Sequence, residues 1–229
     1  MDKPFSDRSI VVTGGTGALG SAVVQRLVDA GAHCHVTWRR EDDLETFDLR
    51  AHHRVRMHHV DCTDEDAVRE LYAEVEDLWA SVQVAGGFAM NSIGRTTLQE
   101  FREMFDANAV TCFLCCREAA RQMQGAGRIV NVAARPVVQP AAQLTAYAAA
   151  KSAVASMTQT LAQELKRRRI LVNAVLPSVI DTPANRKAMP DADHATWPKP
   201  DDIAEIIAFL VSPANQLTSG ALVPVYGQA

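Results

Sequence analysis

Short apolar runs alternate along this chain with stretches of helical period. Residues 9–12 form an apolar strand that runs into Thr13-Gly14-Gly15-Thr16-Gly17-Ala18-Leu19-Gly20, after which Ala22, Val23, Leu27 and Val28 recur with the period of a helix that Gly31 ends. His33–Trp38 and residues 55–60 read as the second and third strands, residues 65–78 as an amphipathic helix with an Asp or Thr cap, and residues 81–84 as a buried fourth strand. One long helix is predicted over residues 97–123, interrupted by Asn108, a residue that competes for backbone hydrogen bonds in helix interiors. Gly127–Val132 is a fifth strand, residues 133–144 a loop, residues 145–166 a helix and residues 170–176 a sixth strand. After Pro177 an irregular segment reaches Pro200, too long for a plain connector and therefore a candidate lid. A helix over residues 201–211 and a strand over residues 221–225 close the pattern. Such alternation predicts an α/β fold with a seven-stranded parallel sheet covered by helices on both faces. With no repeats or linkers, the 229 residues are expected to form a single domain.

Charge and composition exclude several classes. A formal net charge of -4 and the lack of a basic stripe argue against nucleic-acid binding. The run Lys166-Arg167-Arg168-Arg169 falls at a helix end, where cations suit the dipole. No apolar run is long enough for a membrane span, and the polar start leads directly into a strand, unlike a signal peptide. Five cysteines, an odd number, fit a reducing compartment, so a cytoplasmic location is expected. Cys112, Cys115 and Cys116 share a helix face, and His33, His35, His52, His53, His58 and His59 crowd the second and third strands. No second ligand pair follows, so these read as packing residues and no metal is expected.

The chemistry is concentrated at strand ends. Gly15, Gly17 and Gly20 satisfy G-x-G-x-x-G between a strand and a helix, where the turn and the helix N-terminus suit a pyrophosphate. The second strand ends in Trp38-Arg39-Arg40 with no acid for a ribose 2′-hydroxyl, and two guanidinium groups there point to a 2′-phosphate and so to NADP(H), with NAD(H) as second choice. Ala85-Gly86-Gly87 marks the ligand side again. Tyr147 and Lys151 lie one helical turn apart, which would let the ammonium lower the phenol's pKa toward working pH.

Over essentially its whole length the chain resembles the short-chain dehydrogenase/reductase family, whose fold is a Rossmann-like doubly wound sheet. Thr13-Gly14 with Gly20 is similar to the family's cofactor loop, although Ala18 stands where many members carry a glycine. The resemblance implies cofactor contacts from Gly14, Gly15, Thr16, Gly17, Ala18, Leu19, Gly20, Arg39, Arg40, Asp61, Cys62, Ala85, Gly86, Gly87, Tyr147, Lys151, Pro177, Val179, Ile180 and Thr182. Asp61 would hold the adenine and Thr182 the carboxamide. Tyr147 would supply a proton, Lys151 would also hold the nicotinamide ribose, and Asn108 would orient a relay water. The family serine should fall thirteen residues before Tyr147, at a position occupied by Ala134 and followed by Arg135. Dihydropteridine reductases within the family also carry alanine and a basic residue there, and their lid is similar to residues 181–193 with Trp197 beyond. Ala134, Arg135, Met189 and Trp197 are accordingly expected to line a substrate pocket. The resemblance implies an NADPH-dependent reductase acting on a small conjugated molecule, a quinonoid dihydropteridine first. A ketone or quinone reductase is the alternative, and a non-enzymatic dinucleotide sensor the third reading. It further implies a homodimer or homotetramer built on the two long helices.

Overall fold

The computed structural model describes residues 3–229. Seven strands form its one sheet: β1 (Ser9–Thr13), β2 (His33–Trp38), β3 (Val55–His59), β4 (Leu78–Gln83), β5 (Gly127–Val132), β6 (Ile170–Pro177) and β7 (Leu222–Val225). Their order is β3-β2-β1-β4-β5-β6-β7, and every pairing is parallel. Side chains alternate across each strand, so Ile10 and Val12 enter one core while Val11 enters the other. The first core is covered by α1 (Ala18–Asp29), with α2 (Glu41–Glu45) beyond the end of β2; α3 (Glu65–Ala73) covers the second. Then follow α4 (Leu98–Phe105), α5 (Thr111–Gln122), α6 (Thr145–Glu164), α7 (Pro183–Ala188) and α8 (Pro200–Val211). Of these, α8 packs on α1 over the first core, and α5 and α6 complete the second.

The winding reverses between β1 and β4, and such a switch point opens a crevice beyond the carboxyl ends of the strands. Gly14 and Ala85 meet there: a Cβ on Gly14, whose φ is +62°, would lie 2.8 Å from the Ala85 Cα. Only glycine allows that approach.

Three expected elements differ in detail. The helix predicted over residues 65–78 stops at Ala73, because Asp77 adopts a left-handed φ of 50° and Leu78 and Trp79 open β4. Its cap is Asp64, whose side chain accepts from the Asp66 and Ala67 amides. The long helix is divided by a π-helical segment, Asp106–Val110, with Asn108 buried at its centre. The lid is partly ordered by α7, for which Thr182 is the N-cap and Pro183 the first residue, and by a 3-10 turn, His194–Thr196.

Candidate active site

At the nucleotide end, the loop after β1 is fixed by buried hydroxyls. Thr13 Oγ1 donates to Gln83 Oε1 at 3.2 Å and accepts from the Ala85 amide at 3.2 Å, while the Gly14 amide donates to Thr37 Oγ1 at 2.9 Å. Gly15, Thr16 and Gly17 then turn the chain into α1, whose first residues are Ala18, Leu19 and Gly20. Gly17 offers no side-chain cap and the first turn holds no acid, so its amides and the positive end of the helix dipole suit an anion such as a pyrophosphate.

The arginines do not act alike. Arg40 is taken by Asp43 through two bonds of 2.8 Å, Nε to Oδ2 and Nη2 to Oδ1, which hold its pKa above the usual value. Arg39 Nη1 lies 4.0 Å from Asp61 Oδ2, and both side chains are largely exposed. The expectation of two free guanidinium groups with no acid nearby is thus corrected to one, Arg39, beside Asp61. That carboxyl is in turn held below its ordinary range by hydrogen bonds from the Thr63 amide and hydroxyl. Cys62 is buried behind it, 3.7 Å from Thr37 Oγ1.

On the crevice floor, Lys151 is 5% exposed and its Nζ donates to the Val132 carbonyl at 2.8 Å. Burial lowers its pKa to about 8. Tyr147, half-buried on the first turn of α6, is pushed up to about 12, also by burial. Its ring centre lies 5.9 Å from the Lys151 ammonium. The expected lowering of the phenol by the lysine is therefore reversed, because exclusion of water outweighs a cation at that distance. The phenol keeps its proton and can donate it.

Asn108 is fully engaged with protein. Its Nδ2 donates to the Gly87 and Met104 carbonyls at 3.0 and 2.9 Å, and its Oδ1 accepts from the Gly87 amide at 3.2 Å. This corrects the expectation that the side chain orients a water: it clamps the turn after β4. A Cβ on Gly86 would lie 2.7 Å from Asn108 Oδ1 and 3.3 Å from Lys151 Nζ, so the missing side chain leaves a cradle beside the ammonium that fits a ribose.

Of the expected pocket residues, Ala134 is buried in extended conformation and presents only a methyl group. Arg135 is committed elsewhere, donating to Gln139 Oε1 and the Ala229 carbonyl at 2.7 Å each and lying over the Tyr226 ring. Trp197 is buried against His194 rather than open to a ligand, whereas Met189 is partly exposed. Pro177 ends β6, Val179 is exposed, Ile180 packs on the first core, and Thr182 Oγ1 accepts from the Asn185 amide at 3.2 Å. One residue escaped the sequence reading: Phe88 meets the Tyr147 ring edge-on, 5.0 Å between centres, with 65% of its surface free. Its place directly after Gly87 was the only available signal.

His35 Nδ1 lies 3.0 Å from His58 Nε2, and burial lowers both imidazoles. Among the described residues no cluster of three or more His, Cys, Asp or Glu could hold a metal ion, and no helix is long and apolar enough to cross a membrane.

The model of the short chain dehydrogenase family matches residues 8–193. The 3-oxoacyl-[acyl-carrier-protein] reductase MabA of Mycobacterium tuberculosis is 30% identical, across 98% of this chain and 93% of its own. Cis-4-hydroxycyclohexanecarboxylate dehydrogenase of Sinomonas cyclohexanicum is 31% identical, across 99% and 98% respectively. Among solved structures, a short-chain dehydrogenase/reductase of Brucella melitensis described as glucose/ribitol dehydrogenase superposes with a TM-score of 0.91 at 26% identity, covering 99% of this chain and 98% of that one.

Proposed function

Because the chain belongs to the short-chain dehydrogenase/reductase family and is an NAD(P)-dependent oxidoreductase, we propose that it reduces a small conjugated acceptor with NADPH, a quinonoid dihydropteridine being the best candidate. One observation carries this reading: beside the phenol of Tyr147, position 134 offers a buried methyl where a hydroxyl would polarise a carbonyl. Losing one donor to a developing oxyanion costs about 10²–10³ in rate. A conjugated acceptor that is already polarised depends less on that donor.

NADPH supplies a hydride when bound. The amides at the start of α1 receive its pyrophosphate, Arg39 its 2′-phosphate, and Lys151, beside the Gly86 cradle, its ribose. Tyr147 holds a proton on its phenol and gives it up to the reduced substrate. Phe88 supplies an apolar wall against which a flat ring can lie. Reduction of a ketone is the second reading, favoured by relatives whose names describe oxo and hydroxy compounds.

We further propose that the whole chain is one nucleotide-binding domain acting in the cytoplasm, where its five free thiols stay reduced. Exposed Leu98 on α4 and Phe113 on α5 support a homodimer or homotetramer through the long helices.

The test is NADPH oxidation with quinonoid dihydropterin beside a panel of ketones and quinones, in wild type and in Ala134→Ser. Strong pterin turnover is expected, not improved by serine, together with weak ketone turnover that serine raises. Wild-type ketone turnover at or above the pterin rate would overturn the substrate reading.

A further inference from the structure

Four of the five cysteines lie on one side of the sheet, where Cys62, Cys112, Cys115 and Cys116 are buried in the core that β1, α3, α5 and α6 share. Cys34 lies in the opposite core. Cys112 and Cys116 occupy successive turns of α5 with their sulfurs 3.8 Å apart, and Cys116 donates to Asn131 Oδ1 at 3.2 Å. Cys115 instead hydrogen-bonds across to Cys62. Cys62 is the most accessible of the cluster at 7% exposure, and it stands at the ligand side of the sheet, directly after Asp61.

The two sulfurs of that cross-pair differ in character. The hydrogen bond from Cys115 draws the Cys62 thiol below its ordinary pKa, whereas the same bond, followed by burial, pushes Cys115 well above its own. A sulfur inclined to ionise thus stands at the rim with a protonated thiol behind it, the disposition of an attacking and a resolving cysteine. A pair that merely filled core volume would have no use for this asymmetry.

We propose that Cys62 and Cys115 form a peroxide-reactive pair that closes to a disulfide and thereby weakens nucleotide binding. The Cys62 thiolate attacks one oxygen of hydrogen peroxide; an S–O bond forms, the O–O bond breaks, and the departing hydroxide takes a proton from solvent to leave as water. Sulfur is oxidised by two electrons and the peroxide reduced. Cys115 then attacks the sulfenic sulfur, an S–S bond forms as S–O breaks, and the thiol proton leaves with the hydroxide as a second water. In sum, two thiols and one peroxide give one disulfide and two waters. The coupling runs through Thr37, whose Oγ1 lies 3.7 Å from Cys62 Sγ and accepts from the Gly14 amide at 2.9 Å. Drawing Cys62 toward α5 disturbs the hydroxyl that fixes the glycine loop, and a nucleotide seated over Asp61 covers the approach to Cys62.

The coupling half of this proposal rests on the dinucleotide reading, and the thiol half does not. Full-length protein would be treated with hydrogen peroxide with and without saturating NADP+, then examined by intact mass, non-reducing peptide mapping and nucleotide titration. Expected are the loss of two hydrogens, a link between the peptides holding Cys62 and Cys115, suppression of that link by NADP+, and about tenfold weaker NADP+ binding that a dithiol reductant reverses. Cys115→Ser should stop at a sulfenic acid on Cys62 that dimedone captures, while Cys34→Ser should form the link as wild type does. Absence of the link, or a bond confined to Cys112 and Cys116, would overturn the thiol chemistry. Unchanged affinity in linked protein, or equal oxidation under NADP+, would overturn the coupling. Failure of reduced wild type to bind NADP+ at all would instead sink the dinucleotide reading, with the link still decided by mapping.

Discussion

Lys151 and Arg40 are both cations at the carboxyl end of the same sheet, yet they are held by opposite means. Lys151 rests on the Val132 carbonyl, has no acid partner among the described residues, and is brought down to about 8 by burial. Arg40 is mostly exposed, closes a two-bond pair with Asp43 and is held above its ordinary value by it. Where water is excluded, desolvation decides the protonation state; where water is present, pairing does, and the energy it yields is small. The floor of the crevice can therefore tune acids and bases, and the rim can only recognise charge.

The largest effect expected from this contrast is at Tyr147. Replacing it with Phe should lower turnover by about 10²–10⁴ while leaving NADPH affinity, read by fluorescence titration, nearly unchanged. A fall of less than about tenfold would mean that the proton arrives from elsewhere. Next is Lys151. Its pKa is lower in the folded chain than in the unfolded one, so between about 8 and the model value of 10.5 the unfolded state binds more protons and stability rises with pH. Below that window both states are protonated and the penalty is constant. Lys151→Met should remove this rise, on the order of 2–3 kcal/mol, in urea melts run across the window. An unchanged slope would show that the lysine is not desolvated. At the rim, Arg39→Ala should weaken NADPH binding by about 1–3 kcal/mol and spare NADH. Smallest is Arg40→Ala, worth under about 1 kcal/mol because its guanidinium is already engaged. Equal losses at the two arginines would erase the distinction drawn between them.

How much of this was readable in advance follows from where each partner comes from. Strands buried on both faces announce themselves as runs of Val, Ile and Ala, and β2 and β5 fell on their predicted bounds. The boundary between α3 and β4 did not, because Val75 and Leu78 prolong an apolar helical period while the break is a backbone dihedral at Asp77. Tyr147 and Lys151 were legible because their spacing is local. The carbonyl that receives Lys151 was not, since Val132 is nineteen residues away and is brought there only by the packing of α6 on the sheet. Arg40 and Asp43, three residues apart, could have been read as a pair. Phe88 could not, because nothing in the pattern distinguishes an aromatic ring left open from one about to be buried.

The π-helical segment between α4 and α5 has a consequence for insertions and deletions. A π turn accommodates one residue more than an α-helix does over the same rise. Removing Ala107 would let the ladder close in α-helical register and swing everything beyond it by about 100° around the axis. At present α4 faces α6 while α5 faces β4 and α3. After such a deletion Cys112, Cys115 and Ala119 would turn out of the core they now fill. The segment thus acts as a phase adjuster between two stretches of one rod, and the length of that rod is more tightly specified than most of its side chains. Single-residue deletions through residues 105–110 should accordingly lower the melting temperature more than alanine substitutions at the same positions.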